Sequence, residues 1–121
     1  MLDAGALIAL ERGNRWAISL MRGTVADGGL LIVPASVLAQ VLRDPSRQYE
    51  IWKLATNKKS IVVAMGLEEA KLIGALLAKS RSSDVVDAHV VLCGQTFRMA
   101  ILTSDPKDLA ALDGELELLR V

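Results

Sequence analysis

Five of the chain's aspartates carry the chemistry its residue types could support. Asp84 and Asp87 stand in "SSDVVDAHVVLCG", residues 82–94, one helical turn apart and so on one face of a helix that begins there. Asp105 and Asp108 repeat that spacing in "TSDPKD", and Asp3 stands alone in "MLDAG". Apolar neighbours place Asp87 and Asp105 in or beside the core. Carboxylates converging there repel one another, and a buried one is costly unless it is paired or bound to metal. A divalent cation removes that cost. Oxygen-only ligation without a His or Cys cluster favours the hard ions Mg2+ or Mn2+, and an acid cluster around such an ion is an apparatus for activating water against a phosphodiester. Simpler roles exist for three of the acids: Asp84 as the cap of a helix beginning at Val85, Asp108 as an exposed first-turn residue, and Asp3 as a cap.

The elements that must position these acids alternate. Met1-Leu2 reads as a stub of strand running into Asp3, shorter than the roughly five residues usual for a strand. Ala6 to Arg12 is helix material closed by Gly13, and Asn14 caps a second helix reaching about Arg22, with Trp16, Ser19, Leu20 and Gly23 on one side. "GGLLIVP" (28–34) is an apolar run between breakers and reads as a buried strand. Pro34 precedes a helix from Ala35 to about Arg43 that Asp44-Pro45 stops.

A helix from Arg47 to about Ala55 presents Ile51, Trp52 and Ala55, and Ser60 to Met65 is the next strand. A helix over Leu67–Lys79 carries Glu68 and Glu69 in its first turn, where the helix dipole favours anions. Val85 to Phe97 is apolar or small almost throughout and predicts a helix buried on most sides. Met99 to Asp105 forms a fourth strand, Pro106 opens a short helix through Leu112, and "ELELLRV" closes the chain as an edge strand. This alternation predicts an α/β domain with a largely parallel sheet covered on both faces. Ligands of such sheets bind beyond the carboxyl ends of the strands, where Asp3 and Asp105 fall.

Composition narrows the function classes. The 121 residues form one domain (1–121), 52% hydrophobic and 3% aromatic, so the core must be aliphatic. Fourteen basic residues balance fourteen acidic ones, so a nucleic-acid surface must come from local clustering. Cys93, the only cysteine, lies in an apolar run as a small buried hydrophobe. No apolar run approaches the roughly 20 residues that span a bilayer, and charged residues occupy the place of a secretory core, so a cytoplasmic protein with no membrane partner is expected.

"LDAGALIAL", "VDAHVVLCG" and "ILTSDPKDLAAL" resemble, in order and spacing, three signatures of PIN domains, specifically of VapC-type toxins of toxin-antitoxin pairs. The resemblance runs from Leu2 to about Leu112. It implies a PIN-like (Rossmann-like) α/β/α sandwich with a mostly parallel sheet of four to five strands. It also implies a Mg2+- or Mn2+-dependent endoribonuclease, usually a homodimer, held inactive by a small VapB-like antitoxin, with tRNA among the RNA substrates to test. Asp3, Asp87 and Asp105 match the first, third and fourth metal-site acids. Thr103 and Ser104 match the small hydroxyl residues before the last acid, which orient it or a water. Asp108 matches an accessory acid.

One departure stands out. Where the family usually has Glu in the helix after the second strand, this chain has Gln40, which can accept hydrogen bonds but brings no charge. Asp84 could supply the missing charge, giving the set Asp3, Asp84, Asp87 and Asp105. Arg43, three residues past Gln40, could pair with Asp3 or Asp87 and stand in for the cation, or merely meet the C-terminus of its own helix. Arg12, Arg15 and Arg43 are the expected RNA phosphate contacts, because aromatics are too few for a base-stacking platform. His89, two residues past Asp87, points about 200° away on a helix and reads as structural. Trp16 and Trp52 read as core, dimer or antitoxin contacts. The leading expectation is a metal-dependent ribonuclease. Its alternative is a catalytically weak or inactive PIN-like module that binds RNA or an antitoxin, with Gln40 as its main support. A receiver-type signalling domain fits poorly, since "SIVVAM" ends without an acid.

Overall fold

The computed structural model describes residues 1–121 as a mixed α/β domain of seven helices and four strands. In chain order these are α1 (Ala4–Glu11), α2 (Arg15–Ala26), β1 (Leu31–Pro34), α3 (Ala35–Val41), α4 (Tyr49–Thr56), β2 (Ser60–Val63), α5 (Leu67–Ser80), α6 (Val85–Phe97), β3 (Ile101–Thr103), α7 (Pro106–Leu112) and β4 (Leu118–Arg120). The strands form two parallel pairs. β1 runs beside β2 with Leu31 opposite Ser60, and β3 beside β4 with Ile101 opposite Leu118.

The stub before Asp3 connects these pairs. Leu2 N–H donates to Ile32 O at 2.9 Å on one side. On the other, Leu102 N–H donates to Met1 O at 2.9 Å and Asp3 N–H to Leu102 O at 3.2 Å, as an isolated parallel bridge between Leu2 and Leu102. Asp3 is therefore fixed by backbone hydrogen bonds at the point where chain leaves sheet for α1.

The core is aliphatic, as the composition requires. Leu7, Ile32, Val33, Val37, Ile51, Val90, Val91, Ile101 and Leu109 lie in one buried cluster. Helix α6 is buried nearly all round, from Ala88 to Gly94 apart from the half-buried Leu92, and packs against α3, α5, α7 and β1. His89 is fully buried within it, and its Nδ1 shares a 2.7 Å hydrogen bond with the hydroxyl of Ser36 on α3. Burial lowers the His89 pKa against the opposing charge of Glu69, and Nε2 has no protein partner. Buried Cys93 has a thiol pKa pushed up to about 11 by burial, with the nearby Glu69 charge acting in the same direction, which leaves it an unreactive thiol. No helix is long and apolar enough to cross a membrane.

Several elements depart from their sequence expectations for local reasons. α2 runs to Ala26, because Gly23 sits unobstructed in the helix and the turn is made instead at Gly28, whose φ is +84°. Its buried residues are Ala17 and Met21 rather than Trp16, Ser19 and Gly23, and Trp16 is 49% exposed. Trp52 is likewise exposed rather than part of the core. β3 is confined to Ile101–Thr103 because Met99 N–H still bonds Gly94 O at the end of α6, while Asp105 N–H turns back onto Thr103 Oγ1. On β2, Ile61 and Val62 are exposed, so the expected cover on both faces of the sheet is missing there.

α3 ends at Val41, two residues early, because a later side chain takes over its hydrogen bonding. Gln48 Oε1 accepts from Arg43 N–H at 2.7 Å and Asp44 N–H at 3.1 Å, and its Nε2 donates to Val41 O at 3.0 Å. With that carboxamide committed, Gln48 stands at the head of α4 without capping it, and α4 starts at Tyr49 rather than Arg47. Gln48→Ala would leave these backbone groups unsatisfied at a buried position. It is expected to cost about 2 kcal/mol, measured by urea unfolding, whereas Arg47→Ala should cost little.

Candidate functional site

Asp3 is the N-cap of α1, with Oδ1 accepting from Ala6 N–H at 2.7 Å, and it is only 7% exposed. Burial raises its pKa; hydrogen bonding from the Thr103 side chain and from the Ala6 and Gly5 backbone opposes this, and the charge of Asp105 adds to the rise. Thr103 is buried at the end of β3, and its Oγ1 accepts from the Asp105 backbone at 3.0 Å. One threonine thus faces the acids at both ends of the fold.

Asp87 is half-buried in the first turn of α6, with a pKa raised to about 6. Burial is the largest cause, followed by the charges of Asp84, Asp3, Asp108 and Asp105. The charges of four other carboxylates, spread over three separate segments, therefore act on Asp87. Asp84 both caps α6, accepting from Asp87 N–H at 2.9 Å, and lines a cavity of about 280 Å³ with Asp87, Asp108, Ser80 and Ser82. Capping and cleft lining coexist in that residue. Asp108 lies exposed in the first turn of α7.

Asp105 corrects its expectation. It is exposed rather than beside the core, because the strand stops at Thr103 and the chain has already turned toward α7. It holds the N-cap position of α7 with no side-chain cap bond, so its carboxylate is uncommitted. Ser104 is exposed and packs on Gly5: a Cβ at residue 5 would stand 2.6 Å from Ser104 Cβ and 2.8 Å from its N. That close approach joins the first turn of α1 to the end of β3, and so Asp3 to Asp105.

Arg43 pairs with neither Asp3 nor Asp87. α3 ends before it, and its guanidinium folds back onto the final carbonyls, Nη1 donating to Ala39 O at 2.9 Å and Leu42 O at 2.7 Å. There it complements the negative end of the helix. Gln40 is exposed and lines a different, larger cleft of about 700 Å³ with Ala4, Ile8, Glu11, Arg12, Val41 and Arg47. Arg15 lies on the outer face of α2 beside Arg22, outside that cleft. The chain's single ion pair is Lys71–Glu68 at 2.9 Å, so neither Arg12 nor Arg47 has a carboxylate within salt-bridge distance.

The carboxylate-only donor set suits a hard divalent cation. No three His, Cys, Asp or Glu side chains stand close enough to hold one ion together; binding would have to draw the acids of the cleft inward.

Compared with known proteins, the chain matches no protein-family model, and no curated protein matches it.

Sequence reasoning missed Arg47 and Gln48. Arg47 lies in a turn held by Asp44, whose Oδ1 accepts from Ser46 N–H at 3.0 Å and Ser46 Oγ at 2.7 Å. The Asp-Pro-Ser sequence signalled a turn but not where it would return the chain.

Two outcomes follow from this geometry. Gly5→Ala should destabilise by about 1–3 kcal/mol, since the added methyl meets backbone, read as a fall in Tm. Asp87 has a folded pKa of about 6, above the ordinary 3.8. Its protonated form therefore stabilises the fold at low pH, and that contribution is lost as pH rises through about 6. Asp87→Asn should accordingly raise stability at pH 7 by about 1 kcal/mol after allowance for partial exposure. The gain should vanish near pH 4 in matched thermal melts.

Proposed function

We propose that the chain is a PIN-like endoribonuclease of the VapC type that depends on a divalent cation and hydrolyses RNA phosphodiester bonds. In this reading the fold is a Rossmann-like α/β/α sandwich whose sheet, of four to five mostly parallel strands, runs β2, β1, the Leu2 stub, β3, β4. The hydrogen bonds of residues 1–3 to both strand pairs support that order. The protein would be cytoplasmic, homodimeric and restrained by a VapB-like antitoxin.

The observation that carries the proposal is that Asp84, Asp87 and Asp108 line one cleft while the charges of Asp3 and Asp105 also act on Asp87, whose carboxyl is raised to about 6 by burial first and by these four charges after it. Acids that only stabilised the fold would not be gathered where they repel. Asp3, Asp87 and Asp105 would hold Mg2+ or Mn2+, with Asp84 and Asp108 at the margin. When bound, the cation neutralises the acids and supplies electrophilic stabilisation to a phosphodiester undergoing hydrolysis. Ala6 N–H fixes the orientation of Asp3, and Thr103 holds the backbone of Asp105. Burial first, then its neighbours' charges, raises the carboxyl of Asp87 to about 6, so protons compete with a cation for this ligand.

A second reading, a PIN-like module that binds RNA or an antitoxin without cutting, is favoured by the absence of three ligands within reach of one ion. Incubation of an RNA pool that includes tRNA with Mn2+, Mg2+ or EDTA separates the two. Cleavage should require metal and fall on the order of 100-fold in Asp87→Asn. Absence of cutting by folded protein under every condition would select the binding module. Independently of cleavage, Mn2+ should raise the Tm of the wild type but not of Asp87→Asn. Because protons compete for the same carboxylate, the shift should grow as pH rises through about 6.

A further inference from the structure

The cleft that holds Gln40 is distinct in lining from the acid cleft and opposite to it in charge. Arg12, at the C-cap of α1, and Arg47, in the turn before α4, face it together with Gln40 of α3. Glu11 lines it too, leaving two guanidiniums against one carboxylate. Asp44, near Arg47, lies outside the lining and is engaged by both donors of Ser46. Ala4, the residue that follows Asp3, is part of its lining.

We propose that Arg12, Gln40 and Arg47 form a phosphate-binding subsite for the backbone of single-stranded RNA, separate in lining from the acid cleft. This rests on the ribonuclease reading for its biological use but not for its test. Three features argue for it. The two arginines have no carboxylate partner within salt-bridge distance, and guanidinium groups match phosphate oxygens. The neutral carboxamide of Gln40 can donate to a phosphate oxygen, which a carboxylate at neutral pH cannot. A glutamate at position 40 would equalise the opposing charges and pair with the guanidiniums. No aromatic residue lines the cleft, so the contact reads backbone rather than bases. Its volume of about 700 Å³ is in the range of ligand sites. Gln40 is thus a substrate-contact residue in its own right, and Gln48, which ties the loop carrying Arg47 to the end of α3, positions the second arginine.

The test measures binding of a fluorescent single-stranded RNA oligonucleotide with 2′-O-methyl riboses, in EDTA, by anisotropy across a salt series. Arg12→Ala and Arg47→Ala should each weaken binding about ten-fold at low salt, and each should reduce the log–log salt slope by about 0.7. Gln40→Glu should weaken binding by a similar factor with no loss of Tm, an effect that a structural role would not produce. Arg22→Ala, on the outer face of α2, should leave binding within two-fold or so. Unchanged affinity and slope in all three cleft variants would overturn the subsite. So would a poly-glutamate peptide that binds as tightly as the oligonucleotide, since the cleft would then read carboxylates. Cleft-dependent binding without any Asp87-dependent cutting would retain the subsite and remove the nuclease. Cutting that persists without cleft dependence would do the reverse.

Discussion

The candidate site depends on three residues of backbone inserted between two strand pairs. Without the bonds from Leu2 to Ile32 and between residues 1–3 and Leu102, Asp3 would be held near Asp105 only by side-by-side packing such as that of Gly5 on Ser104. With them, a buried carboxylate is fixed beside Thr103 and within the field of Asp87 and Asp105. Burial and mutual repulsion then make the cluster an unfavourable arrangement that the surrounding packing holds in place. Active sites commonly carry such local cost.

The molecule also has two clefts of opposite character. One gathers carboxylates from the starts of α6 and α7, the other guanidiniums from the end of α1 and the turn before α4. Helix α3 contributes Gln40 to the second and, through Ser36 and buried His89, is fastened to α6, which carries Asp87. A core contact thus links a helix of one cleft to a helix of the other.

Much of this was legible from local chemistry. Asn14 as a cap, Pro34 and Pro106 at helix starts, and the apolar run from Val85 to Phe97 all act through neighbouring residues, and each element was found where those signals placed it. The rule that ligands meet the carboxyl ends of parallel strands put Asp3 and Asp105 at one end of the sheet, and the charges of both act on Asp87. What escaped depended on distant partners. Gln48 ends α3 through bonds to residues 41, 43 and 44, a pattern with no signature in its own neighbourhood. Asp105 was misplaced because apolar neighbours in sequence do not imply burial once the strand has stopped. Arg43 took the second of its two expected roles, folding back onto the end of its own helix, and Arg47 lines the cleft of Gln40 because the loop between α3 and α4 returns there.

The bridge between Leu2 and Leu102 also carries a consequence for how the molecule comes into being. Contacts spanning nearly the whole chain bear the greatest loop-closure entropy and tend to form after local ones. On a ribosome, the segment bearing Asp3 emerges long before the strand it must join. The helices near the start can pack while the acids remain scattered, and the cleft is complete only once residues past Thr103 have been delivered. A nascent or truncated chain is by construction without the assembled acid cluster, so any chemistry that cluster performs is withheld until synthesis of the fold is nearly finished.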